Sequence, residues 1–263
     1  MVRSYEMNKI IKSVIFVLLF ITMTASASGK KDSKSAVKNI QTQVIASTPW
    51  TAAFADIAGI DDVESIAPAN LRHPPEYEIT VSDIQKLTKC KYLIYTGYER
   101  MMKTLADSTG SVQLIKINTD NSVATVQSQA RVIASILHTE KKCEERISSY
   151  AATISQARKQ VEEKGLSSKK VLVHAMQVYL AKDLGFTVFD TFGPEPLTAE
   201  QIKKAKEENY DIIIDNVHNP VASPLADVCP NAVIVAWRNF PDTMGRGALE
   251  AVIRENVNKL FVK

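Results

Sequence analysis

Short aliphatic runs alternate with stretches of helical period over most of the chain. Gln43-Val44-Ile45-Ala46-Ser47 predicts a strand, and Thr48-Pro49-Trp50 opens a helix that runs to Ile57 and stops at Gly59. Residues 63–67 predict a second short strand. A short helix opened by Ser82 then leads into a buried strand, Tyr92-Leu93-Ile94-Tyr95, turned at Gly97. Residues 100–106 read as a helix and 112–116 as a further strand. Strands alternating with helices at this spacing predict a parallel, doubly wound sheet.

Residues 123–164 contain neither Gly nor Pro, and apolar positions such as Val132, Ile133, Ile136, Leu137, Ile147, Tyr150 and Ile154 recur at helical spacing. Forty helical residues would span about 60 Å, so the stretch predicts one or two helices packed along both halves as a spine, closed by Gly165. The second half repeats the grammar of the first. Val171-Leu172-Val173 is a strand ending in His174, followed by a helix over 176–184 stopped by Gly185, and a strand over 187–190. Thr198 with Gln201 forms a capping box for a helix over 198–208. Strands over 211–215 and 232–236 and a helix over 247–260 complete the chain.

The N-terminus reads differently. Lys9 and Lys12 precede an apolar run from Val14 to Met23, and Ala25-Ser26-Ala27 is a cleavage site of the A-x-A type. The expectation is a signal peptide over 1–27, cleaved near Ala27, and a Lys- and Ser-rich tether over 28–42; the alternative is an uncleaved anchor. The mature protein is then soluble and periplasmic. At 263 residues the chain is long enough for two lobes. A composition of 45% hydrophobic and 23% charged residues is that of a globular protein. A net charge of +3 without a basic stripe gives no footprint for nucleic acid. Cys90, Cys143 and Cys229 would allow one disulfide and one leftover thiol in an oxidising compartment, and no CxxC spacing is present. G-x-S-x-G, HExxH, P-loop and GxGxxG patterns are all absent, and glycine is scarce at 9 residues. The chain therefore reads as no enzyme and needs no catalytic cofactor.

The segment Tyr77-Glu78-Ile79-Thr80-Val81-Ser82-Asp83, with the strand and Gly97…Glu99 that follow it, carries a family likeness. It resembles the YEPTPSD…G…E segment of the substrate-binding receptors that feed zinc and manganese ABC importers. The resemblance implies an α/β fold of two lobes (43–122 and 166–263), each with a mostly parallel sheet flanked by helices, joined by a long backbone helix over 123–165. It further implies a monomeric binding protein that captures zinc or manganese between its lobes and hands the metal to a permease in the inner membrane.

Ligands of α/β sheets bind beyond the carboxyl ends of strands. His174 stands there, and it matches a metal-ligand histidine of the receptors, with Tyr179 as the aromatic about five residues on. The receptors place their first histidine two residues before the motif tyrosine; here that position is Pro75, and His73 lies two residues earlier, beside Glu76. The second family histidine has no counterpart near Asn118–Asp120, and the last acidic ligand falls at Arg238, with Asp242 four residues on. His218 follows a strand in Asp215-Asn216-Val217-His218 and offers a substitute. The expected site is therefore His73, His174 and His218 with Asp242 or Glu76, a set that suits tetrahedral zinc. His138 is read as a solvated or interhelical residue of the spine. A competing reading uses Arg238, Trp50 and Trp237 to hold an organic metal chelate or a small anion. A third is a scaffold or adhesion protein that reuses the fold without a ligand.

Overall fold

A computed structural model describes residues 43–105 and 110–261. The expected signal peptide and the whole of the expected tether lie outside the described residues. The described chain contains two four-stranded parallel sheets with helices against them.

The first sheet has the order β2-β1-β3-β4, from β1 (Val44–Ala46), β2 (Glu64–Ser65), β3 (Tyr92–Tyr95) and β4 (Gln113–Lys116). Helix α1 (Pro49–Ile57) starts at a capping box in which Thr48 and Thr51 bond each other's backbone amides. Helix α2 (Val81–Leu87) is capped by Thr80 rather than by Ser82. The reason is Asp83, whose carboxylate reaches back to the Thr80 amide and hydroxyl and also accepts from the Tyr77 hydroxyl at 2.9 Å. Partial burial alone would raise this carboxyl, but the bonds from Thr80 and Tyr77 outweigh it and hold Asp83 below the usual range. Helix α3 (Met101–Leu105) follows.

The spine is two helices, α4 (Val123–Leu137) and α5 (Glu140–Glu163). They part at His138, which adopts a left-handed conformation (φ 56°) and closes α4 as its C-cap. His138 therefore marks a break and not a mid-helix position. Ser122 caps α4, and Lys164 and Gly165 end α5.

The second sheet has the order β6-β5-β7-β8, from β5 (Val171–His174), β6 (Val188–Phe192), β7 (Ile212–Asn216) and β8 (Val233–Trp237). Around it lie α6 (Val178–Asp183), α7 (Ala199–Glu208), a short α8 (Leu225–Val228) that the sequence pattern did not predict, and α9 (Ala248–Asn258). The Thr198–Gln201 capping box of α7 is present. The strand predicted over 232–236 runs one residue further and takes in Trp237. All three cysteines are free thiols, two of them buried. No described helix is long and apolar enough to cross a membrane.

A buried charge cluster joins the two lobes along the spine. Arg146 on α5 pairs with Asp56 on α1 at 2.8 Å, accepts no solvent role at 7% side-chain exposure, and also bonds Asp61 and the carbonyls of Asp56 and Ile60. The second Asp56 oxygen accepts the Gly247 amide at 3.0 Å and Arg246 at 3.2 Å, at the start of α9. One carboxylate thus ties the first lobe, the spine and the last helix. Asp56→Ala should cost about 3–5 kcal/mol, the range for stranding one member of a buried pair. Urea unfolding of the variant checks this; a loss within about 0.5 kcal/mol, typical of an ordinary surface change, would contradict it.

Candidate functional site

The carboxyl ends of both sheets meet the segments that the sequence reading singled out. On the first lobe, Ser47 and Thr96 directly follow β1 and β3 and are stitched together by the buried Glu99. Its carboxylate accepts from Ser47 Oγ (2.5 Å), the Thr96 amide (2.8 Å) and the Gly97 amide (2.7 Å). These three donors make Glu99 a strand-end clasp, the part that this residue of the family-like segment plays here. On the second lobe, the ends of β5, β7 and β8 carry His174, the loop with His218, and Arg238-Asn239-Phe240.

The two strand-end histidines have opposite tautomers. His174 is fully buried, and its Nδ1 accepts the Met176 amide at 3.1 Å. A neutral ring that accepts at Nδ1 carries its proton on Nε2. That Nε2–H has no hydrogen-bond partner among the described residues, and the ring meets Phe192 edge-on at 5.5 Å. Burial pushes the imidazole below its ordinary value, and the Asp215 charge partly offsets this. Ligation through Nε2 would require moving the proton to Nδ1 and giving up the Met176 bond.

His218 is the reverse. Its Nδ1 lies 3.1 Å from the Arg72 carbonyl oxygen, which can only accept, so Nδ1 holds the proton and Nε2 keeps a lone pair. Nε2 is buried and has no hydrogen-bond partner among the described residues. The ring stacks on Phe240 with centroids 3.5 Å apart and planes at 18°. Burial pushes the His218 imidazole down to about 4; the Arg72 carbonyl opposes this, and Arg238, His73 and Arg72 add to it. An N–H to a backbone carbonyl with the far nitrogen left open is the arrangement of a ligating histidine.

The other expected site residues are placed as follows. His73 and Glu76 are exposed, on the turn over Pro74–Glu76 that follows Arg72. Asp242 is exposed and paired with Arg238 at 2.9 Å, and Arg238 also reaches Glu255 at 3.5 Å. Arg238 is thereby neutralised twice, and Asp242 is spoken for, because a guanidinium four residues away takes the carboxylate first. Trp237 is a core residue, fully buried and packed against Phe186, since β8 extends through it. Trp50 lies in the seam between lobes: its Nε1 donates to Asn121 Oδ1 at 3.1 Å and its ring tilts against Phe240 at 5.8 Å. Asn121 Nδ2 continues to the Asn239 carbonyl at 2.8 Å. Among the described residues no three His, Cys, Asp or Glu side chains come together as a metal shell. The four-ligand set read from the sequence is therefore not assembled; only His73 and His218 are near enough for one ring's charge to act on the other.

Sequence reasoning missed Arg72, Asn121, Asn239, Phe240 and Gly193. Gly193 follows β6 at φ 70°, and a Cβ there would stand 2.5 Å from His174 Nε2. The available signal was Gly193-Pro194, three residues beyond the strand predicted over 187–190, which in the structure continues to Phe192.

No family model matches the sequence, and no curated protein matches it. Solved structures do match. The solute-binding protein FpvC of Pseudomonas aeruginosa, in complex with Mn2+, has a TM-score of 0.61 at 16% identity, over 82% of this chain and 95% of that one. The laminin-binding protein Lmb of Streptococcus agalactiae, described as bifunctional with adhesin and metal-transporting activity, has a TM-score of 0.61 at 17% identity, over 83% and 97%. A Mn-bound periplasmic metal-binding protein from Candidatus Liberibacter asiaticus has a TM-score of 0.57 at 15% identity, over 82% and 97%. The chain has the fold of these two-lobed metal-binding proteins. That fold accounts for the paired sheets and the helical link, and among the described residues its strand ends carry no complete metal shell.

Two outcomes are expected. With a free-chain value near 6.5, a buried His218 that titrates near 4 takes up its proton more readily when unfolded. Its contribution is whole above about pH 6.5 and is lost as pH falls toward 4, amounting to about 3 kcal/mol. Urea titrations at pH 7 and pH 4 should show wild type losing that much more than His218→Gln; equal losses would contradict the assignment. Gly193→Ala should destabilise by about 1–3 kcal/mol through strain at positive φ and displace the His174 ring, seen as a shift of its NMR resonances; unchanged resonances would contradict the packing.

Proposed function

We propose that this chain is an extracytoplasmic, periplasmic solute-binding protein of an ABC importer, and that it captures a divalent transition metal of the zinc or manganese class between its lobes for a permease. The lobes are taken as 43–122 and 166–263, with 123–165 as the spine, and the protein as a monomer that performs no catalysis. The observation that carries the reading is the His218 Nε2 lone pair, held open at a strand's carboxyl end by the Arg72 carbonyl. His73, on the facing lobe, is the second donor. His174, with its proton on Nε2, serves as a hydrogen-bond donor to an oxygen of the cargo's shell and not as a ligand.

Binding in this scheme is capture. A neutral imidazole gives its lone pair to the metal without losing a proton, because burial already holds His218 neutral at physiological pH. A closed cleft excludes water and strengthens each bond in the site. A second reading is favoured by the absence of a three-donor cluster among the described residues: the cargo is a metal that arrives with donors of its own, as a chelate with a small acid. A scaffold or adhesive role would need no cargo.

Calorimetric titration of chelator-stripped protein separates these. Zinc or manganese should bind one-to-one, and His218→Asn, which keeps an N–H for the Arg72 carbonyl but has no distal lone pair, should weaken binding by more than the 10–100-fold typical of losing an outer-shell partner. His174→Ala should weaken it less. Weak binding of bare metal with tight binding of its citrate complex selects the chelate reading. No heat and no thermal stabilisation from either would overturn the receptor reading.

A further inference from the structure

The seam that a cargo must enter is closed by the protein's own side chains. We propose that the two lobes are latched together at the mouth of the cleft by Phe240, Trp50, Asn121 and the His218–Arg72 contact, so that closure is a property of the cargo-free chain and not a consequence of binding. The latch has two parts that cross the lobes separately. In the first, the second lobe's His218 donates to the first lobe's Arg72 carbonyl at 3.1 Å while its ring lies flat on Phe240. In the second, Asn121 accepts from Trp50 Nε1 and donates to the Asn239 carbonyl, next to Phe240. Phe240 is 7% exposed and stands in both parts, touching His218 on one side and Trp50 on the other.

The backbone of Asn121 is held as well. Its carbonyl accepts from Tyr150 on the spine at 2.7 Å, and Tyr150 is fully buried. The bridging amide is thus anchored to the rigid helix and is not a freely swinging surface group. Asp56, on the same helix as Trp50, fastens the first lobe to Arg146 and to the start of α9. The lobes are thus pinned next to the latch, and the latch contacts are the ones a cargo entering beside His218 has to part. A ligand shifts such an equilibrium only by its difference in affinity for the two states. With closure already supplied by protein contacts, the step that cargo must drive is the release of Phe240 and Asn121 from their partners.

The test uses the metal-stripped full mature chain, Phe240→Ala, and Asn121→Ala as the second variant, should the first fail to fold. Small-angle scattering should give wild type a compact radius of gyration, and each variant a value larger by about 1 Å. Amide exchange at Glu76 and Tyr77, on the turn behind Arg72, should quicken by about tenfold or more in Asn121→Ala; among the described residues Asn121 bonds Trp50, Asn239 and Tyr150 and not that turn, so a purely local loss would leave it unmoved. Variants that scatter and exchange like wild type would overturn the latch. So would a metal-stripped wild type that is expanded and contracts when zinc or manganese is added.

Discussion

The hydrogen bond from His218 Nδ1 to the Arg72 carbonyl orders much of what this molecule can do. It joins one lobe to the other, and it decides which nitrogen of a buried imidazole keeps its lone pair. Because the acceptor is a backbone carbonyl, the choice does not depend on another side chain's protonation. The stacking on Phe240 fixes the ring's plane, and burial keeps it neutral down to about pH 4. A single contact therefore sets geometry, tautomer and charge together.

The comparison with His174 shows how far local backbone determines chemistry. His174 ends β5 and His218 lies in the turn two residues past β7 of the same parallel sheet, and both are buried with an unpartnered Nε2 among the described residues. One accepts from an amide at the start of the following turn, while the other donates to a carbonyl. Their free nitrogens consequently offer opposite things, a proton and a lone pair. A site built on both suits a cargo with a metal on one side and an oxygen on the other. Arg238 and Asp242 add little beyond each other, since each is occupied by an ion pair.

The paired sheets were legible in the sequence because most strands are short aliphatic runs bounded by a turn residue, and α1, α2, α4 and α7 begin at side-chain caps. Gly59, Gly165 and Gly185 stop elements where expected, all at positive φ. The break at His138 was not legible, because a histidine in the left-handed region leaves no mark in apolar periodicity. Thr80 displaced Ser82 as a cap through Asp83, three residues on, a relation visible in Thr80-Val81-Ser82-Asp83 but not decisive against a neighbouring Ser. The site was legible only as strand-end positions. Spacing put His174 at the end of a strand and His218 just past one, as in the structure, yet it carries no information on tautomer, on the ion pair that holds Asp242, or on the extra strand residue that buries Trp237.

Nitrogen-15 chemical shifts of the histidine rings in the metal-free protein test the central claim most directly, because protonated and unprotonated ring nitrogens are far apart in the spectrum. The account predicts that at pH 7 His218 is the Nδ1–H tautomer and His174 the Nε2–H tautomer, with neither ring protonated twice. Finding His218 with its proton on Nε2, or charged at that pH, would contradict it.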